Sequence, residues 1–196
     1  PPWNARFDAP YEHLVDLGSY QLYLGSAELQ AMPASHIRTV LADAFPGGKI
    51  NARLKLVNIG TVSREFQLSY MLKDSAGKII KEAHISQLNL PPGELNYQFE
   101  AQAGNVEAWC PDNPALYELS LLLKDPASGS SVDLWHDWIG FRKFEARGRE
   151  FYLNGKKIFP RGTSNCAAWK APVAMSDIKN CEKILKEFKN CNVNLL

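Results

Sequence analysis

From residue 36 to about residue 146, apolar and polar positions alternate with a period of two, broken at short intervals by turn-forming residues. The run 49–57 is the cleanest: Ile50, Ala52, Leu54 and Leu56 fall on one side and Lys49, Asn51, Arg53 and Lys55 on the other, as a strand with one face in a core and one in water requires. Phe66, Leu68, Tyr70 and Leu72 repeat the pattern, and Asp74-Ser75-Ala76-Gly77 then predicts a hairpin returning through Ile79 and Ile80. Further strands are expected at 37–45, around Leu95, Tyr97 and Phe99 after the Pro91-Pro92-Gly93 turn, at 117–123 and at 132–144. Within the last of these, Trp135-His136-Asp137-Trp138 is expected to place two aromatic anchors on one side and two polar groups on the other.

After Arg147 the pattern changes. Phe151-Tyr152-Leu153 and Lys157-Ile158-Phe159 flank Asn154-Gly155, and Asn-Gly accepts the positive φ angles of a type I′ turn, so a second hairpin is expected. An irregular stretch follows, and Ser176 is then placed to cap a helix with Ile178, Cys181, Ile184, Leu185 and Phe188 on one face. Lys179, Glu182, Lys183, Lys186 and Glu187 face water, and Asn192-Val193-Asn194-Leu195-Leu196 reads as the opening of a buried strand. Roughly seven short strands in the first block are the pattern of an immunoglobulin-like antiparallel β-sandwich. A strand, a helix and a new strand are how a parallel α/β barrel begins. The expected fold is therefore mainly β: a leader segment at 1–35, holding a strand at 20–24, a sandwich at 36–146, and at 147–196 a hairpin, one helix and the truncated start of a (β/α)8 TIM barrel.

Composition narrows the function. With 45% apolar residues, 22 Lys and Arg against 21 Asp and Glu, and a formal charge of +1, the chain lacks the basic surface that nucleic acid or an anionic membrane would select. No apolar run approaches the roughly 20 residues of a membrane span. The opening PPWNARFDAPYEHL lacks the basic, apolar, small-residue order of a signal peptide, so the sequence is expected to begin within a longer protein. Cys110, Cys166, Cys181 and Cys191 form no CxxC pair and no Cys/His ligand spacing, so free buried thiols are expected and neither a metal nor another cofactor. His13, His36, His84 and His136 are scattered, with no HExxH pair or nucleophile elbow beside them.

Three strings stand out: WCPDNPALY at 109–117, Gly140-Phe141-Arg142, and FYLNGKKIFPRG at 151–162. Pro111 and Pro114 forbid regular ladder pairing, so the first is expected to be a stiff extended crossing anchored by Trp109 and Tyr117. Phe141 is expected in the core, and Arg142 is expected to pair across to the barrel-like segment.

In this order and spacing the three strings resemble the junction in family 2 glycoside hydrolases, the β-galactosidase, β-glucuronidase and β-mannosidase group, where an immunoglobulin-like domain runs into a (β/α)8 barrel. The resemblance covers about residues 36–196. It implies a parent enzyme that hydrolyses terminal β-linked sugars with retention, using two glutamates on later barrel strands, one as acid and base and one as nucleophile. Neither strand falls within this chain, so no catalytic residue is assigned and the chain alone is expected to be inactive. Arg161, Asn165 and Trp169, beyond the first barrel strand, are the expected substrate-binding residues, Trp169 by stacking on a pyranose. Many galactosidase and glucuronidase relatives carry a histidine and an acid soon after this Arg-Gly. Here the sequence reads RGTSNCAAWK, which points to a glycone beyond galactose or glucuronic acid. The alternative is a sandwich that itself binds carbohydrate or protein through exposed aromatics such as Trp3, Trp135 or Trp169. A periplasmic or extracellular site is expected for the parent enzyme. The unpaired helix stripe with Leu195 and Leu196 is expected to be disordered, folded back on the sandwich or buried by a second copy as a homodimer.

Overall fold

The computed structural model describes residues 31–162 and 178–195. The expectations for Trp3, His13, the strand at 20–24, Asn165, Cys166, Trp169, the Ser176 cap and Leu196 lie outside the described residues. Seven strands build two sheets: β1 (Ser35–Phe45), β2 (Lys49–Asn58) and β5 (Gly93–Gln102) in the order β1-β2-β5, and β3 (Arg64–Asp74), β4 (Ile79–Leu90), β6 (Tyr117–Lys124) and β7 (Ser131–Ile139) in the order β4-β3-β6-β7. All pairings within them are antiparallel.

The period-two pattern sets which side chains meet. Ile50, Leu54 and Leu56 of β2 oppose Phe66, Leu68 and Leu72 of β3 and Leu119, Leu121 and Leu123 of β6, all essentially without solvent contact. Tyr70 joins this core with its hydroxyl toward Gln102 O, and burial pushes its phenol above the ordinary value. Asp74 closes the β3–β4 hairpin by accepting hydrogen bonds from the Ala76 and Lys78 amides at 2.9 Å. Between the sheets, the Ile37 amide donates to Asp133 Oδ2 at 2.7 Å.

β7 stops at Ile139 rather than running to Phe144, because Gly140 and Phe141 leave the sheet and Phe141 bridges Ala108 in parallel. Phe144 instead opens β8 (Phe144–Arg147), which pairs with β9 (Glu150–Leu153) and through it with β10 (Lys156–Ile158) in a separate three-stranded sheet. The sequence pattern shows the β9–β10 hairpin but not β8, whose four residues are too few for a period to register. Asn154 and Gly155 have φ of 52° and 79°, as the expected turn requires.

Within β7 the two indoles do not share a side. Period two pairs Trp135 with Asp137 and His136 with Trp138; Trp135 packs against the core and Trp138 is exposed. The thiols also differ from expectation: Cys110, in a loop, and Cys181 are half-buried, and Cys191, past the end of the helix, is exposed. Helix α1 (Ile178–Asn190) keeps Ile184 and Phe188 half-buried and leaves Leu185 exposed, as are Phe159 and Leu195. No described helix is long and apolar enough to cross a membrane.

Candidate functional site at the end of the sandwich

The three motif strings, far apart in sequence, meet at one end of the sandwich. The segment 109–117 is not extended throughout: Cys110 and Asn113 exchange backbone hydrogen bonds at 3.0 and 3.1 Å around Pro111 and Asp112, a tight turn that suits the fixed φ of proline. Tyr117 then enters β6, its hydroxyl accepting from the Glu107 amide at 2.8 Å and its ring edge-on to Phe141 at 5.3 Å. That hydrogen bond holds the loop down while the ring stays in the core.

Trp109 is the hub. Its amide donates to Phe141 O at 2.9 Å. Its indole lies so close to Gly140 that a Cβ there would sit 3.1 Å from three side-chain atoms, so the Gly-Phe-Arg glycine answers to packing. The Arg142 guanidinium covers the indole at 4.8 Å from the ring centre, while its amide donates to Ala44 O at 2.9 Å. Arg142 therefore stays on the sandwich side instead of pairing across to the following segment, since the indole is its nearest partner.

Asn154 connects the hairpin to this hub. Its amide donates to Lys143 O at 2.8 Å, its Oδ1 accepts from the Lys143 amide at 2.9 Å, and its Nδ2 donates to Trp109 O at 2.8 Å. One side chain thus ties the hairpin to Trp109 and to Lys143, the residue that follows the Gly-Phe-Arg string. The sequence marks Asn154 as a turn residue by its positive φ tolerance; nothing local announces that its carboxamide reaches back 45 positions to Trp109.

Beyond the hairpin, the Arg161 Nε donates to Asn192 O at 2.7 Å and an Nη donates to Asn192 Oδ1 at 2.6 Å. Asn192 sits at φ 62° just past α1, a helix end of the left-handed type. The Arg161 and Asn194 backbones pair, Asn194 Oδ1 takes the Arg161 amide at 2.7 Å, and Gly162 bridges Leu195 in parallel. An isolated parallel bridge therefore joins the end of the segment after β10 to the segment after α1, with the Arg161 side chain spent on that contact. Between these segments and the Trp109 loop lies an open cleft of about 1190 Å³, bordered by Trp109, Pro111, Asn154, Arg161, Phe188 and Asn194. Asp112 is the one acid among the described residues that line it. Of the three expected substrate-binding residues, Arg161 borders the cleft; Asn165 and Trp169 are outside the described residues.

One face of the three-stranded sheet carries a compact charge network. Glu145 pairs with Lys143 and Arg147 at 2.9 Å each, and Glu150 pairs with Lys157 and accepts from the Tyr152 hydroxyl at 2.7 Å. Hydrogen bonds from Lys143 and then Arg147 hold the Glu145 carboxyl below its ordinary value. Those from Lys157 and then Tyr152 do the same to Glu150, and Glu150 in turn raises Tyr152 and Lys157. Among the described residues no three His, Cys, Asp or Glu side chains gather as metal ligands would.

A family model described as glycosyl hydrolases family 2 matches residues 34–142. A β-galactosidase of Clostridium acetobutylicum is 30% identical over 141 residues, covering 69% of this chain and 15% of that protein. A β-galactosidase of Lactobacillus delbrueckii subsp. bulgaricus is 28% identical over 144 residues, covering 71% and 13% respectively. The crystal structure of Bacteroides uniformis β-glucuronidase superposes with a TM-score of 0.54 at 20% identity, over 64% of this chain and 16% of that one. The chain thus spans about 15% of the length of the first of these curated relatives.

Proposed function

The chain belongs to family 2 of the glycosyl hydrolases, and from that premise we propose that it is the sandwich and barrel-opening portion of a retaining β-glycosidase that removes terminal β-linked sugars. The observation that carries this reading is the convergence on Trp109 of the strings that resemble the family's domain junction, followed by the parallel Gly162–Leu195 pairing across α1. A strand, a helix and a parallel strand form the repeating unit of a (β/α)8 barrel.

On this reading the junction is mechanical, fixing the angle at which a barrel leaves the sandwich, and hydrolysis needs a pair of carboxylates that is not found among the described residues. A retaining mechanism uses two carboxyl groups about 5 Å apart, one of them with a raised pKa so that it can protonate the leaving oxygen. Glu145 and Glu150 share a sheet face but are both held below their ordinary values by cations, the wrong direction for a general acid. Glu182 lies on α1, 3.9 Å from Lys186 and open to water. The β-galactosidase relatives make a β-galactoside the first substrate to try for the parent enzyme. The test is a panel of chromogenic β-glycosides applied to the purified chain and to the longest natural product that contains it. No hydrolysis by the chain and cleavage of one glycoside by the longer product is the expected result; turnover by the chain itself, surviving Glu145→Gln with Glu150→Gln or not, would refute inactivity.

A further inference from the structure

Asn154 is the one asparagine in the sequence followed by glycine; every other is followed by a residue that carries a side chain. A main-chain nitrogen can attack the carboxamide carbon of the asparagine before it, and glycine offers that nitrogen with no Cβ in the way. Gly155 is exposed, and a Cβ built on it would meet nothing within 4 Å, so water reaches the same peptide unit. The reaction balances with water and hydroxide alone. Hydroxide takes the Gly155 amide proton, the nitrogen bonds to Asn154 Cγ, the bond from Cγ to Nδ2 breaks, and ammonia leaves with a proton from water. A second water then opens the five-membered imide, to aspartate by attack at Cγ or to isoaspartate by attack at the main-chain carbonyl carbon.

The folded junction blocks the first step in two ways. The turn is of the I′ kind, with φ of 52° at Asn154 and 79° at Gly155. Such a turn has ψ of about 30° at its first central residue, which points the following nitrogen away from Cβ. Ring closure needs that nitrogen swung round to the Cβ side. The carboxamide is also held at both ends, Oδ1 by the Lys143 amide at 2.9 Å and Nδ2 by Trp109 O at 2.8 Å. Attack therefore waits for the hairpin to lift off the Trp109 loop, and its rate follows how often that local opening occurs. The product does not fit back into the same place. An aspartate at 154 sets a carboxylate oxygen against Trp109 O where Nδ2 donated, two acceptors with no proton between them. Isoaspartate lengthens the main chain by one carbon inside a two-residue turn whose register joins Leu153 to Lys156.

We propose that Asn154 is a site of spontaneous deamidation, shielded while the hairpin is seated on Trp109 and converted irreversibly when it lifts, so that the modification loosens the junction permanently. The readouts are mass and amide exchange in this chain, which leaves glycoside hydrolysis out of the test. The 196-residue chain is held in mildly alkaline buffer with and without denaturant. Its peptides are followed by mass for conversion of an amide to an acid, and an isoaspartyl-specific methyltransferase marks the isomer. In denaturant Asn154 is expected to convert faster than any other asparagine. Folding is expected to slow it roughly tenfold or more. Gly140→Ala, which presses a Cβ to 3.1 Å from the Trp109 side chain, is expected to undo part of that protection. Asn154→Asp, the product made by substitution, should quicken amide exchange of the β9–β10 turn roughly tenfold, and Asn96→Asp, exposed on β5, should leave it unchanged. The comparison of native with denatured chain needs no variant, so it decides the matter even where Gly140→Ala fails to fold. The proposal is overturned if the native chain converts at Asn154 as fast as the denatured one, if no conversion at Asn154 is detected in denaturant, if a folded Gly140→Ala converts no faster than the parent, or if Asn154→Asp exchanges like the parent.

Discussion

Asn58 shows how much one polar side chain can hold. It is buried at the end of β2, where Nδ2 donates to Val62 O at 2.9 Å and Leu90 O at 3.1 Å, and Oδ1 accepts from the Gly60 amide at 2.9 Å and faces Ser35 Oγ. A single amide thereby closes the β2–β3 loop and ties in the ends of β1 and β4. Removing it strands several buried polar groups, each costing more unpaired than its hydrogen bond contributes when made. Asn58→Ala is expected to destabilise the fold by about 3 kcal/mol in chemical denaturation, well above an exposed control such as Leu41→Ala. At the same scale, Arg161 has its guanidinium on Asn192, which makes it first a residue that holds the segment after β10 against the end of α1.

At the scale of elements, the three-stranded sheet β8–β10 joins the sandwich through few contacts, and its stability is electrostatic on one face. Glu145 and Glu150 titrate below the ordinary value of 4.5, so their contribution is complete above that pH and is lost as pH falls through their depressed values. Tyr152 and Lys157 titrate above 10.0 and 10.5; their contribution is complete below those values and disappears as pH rises past the raised ones. All four lie at the surface, with Lys157 exposed and Glu145, Glu150 and Tyr152 half-buried, so the effect is local and sensitive to salt. Amide exchange in β8–β10 should quicken at both pH extremes relative to β2 and β3, and Glu150→Gln should remove much of the pH dependence. A flat profile in the unsubstituted chain would count against the network. Asn154 separates two further contributions. Asn154→Gly keeps the positive φ and loses the carboxamide links, at about 1–2 kcal/mol of local opening energy. Asn154→Ala adds roughly 1 kcal/mol of backbone strain, and exchange rates of the β9–β10 turn measure both.

Across the whole molecule, the sandwich has no disulfide between its sheets among the described residues, and the two inner faces must hold by apolar packing. Leu121, without solvent contact at the centre of β6, is expected to cost about 3 kcal/mol when cut to Ala, seen as a shift of the denaturation midpoint. The far end differs: Phe159, Leu185 and Leu195 remain exposed. Truncating any of them should change stability by less than about 0.5 kcal/mol. Among the described residues, the sandwich core is well buried while α1 and the segments beside it leave apolar side chains exposed.

The seven sandwich strands, the Asn-Gly hairpin and the helix at 178–190 were legible in the sequence, because period and turn chemistry are local and strands of eight or more residues repeat them often enough to register. The identity of the family was legible too, in strings whose prolines, aromatics and glycine are each demanded by packing. What only the tertiary structure decided were the facts that depend on residues distant in sequence: β8 pairing with β9, Arg142 lying on Trp109, and the Asn154 carboxamide bonding Trp109 O. The same holds for Trp135 and Trp138, which period two sends to opposite faces while only the packed sheets show which face is core. A local pattern sets which way a side chain points along its own element; what it meets there depends on where the rest of the chain has folded.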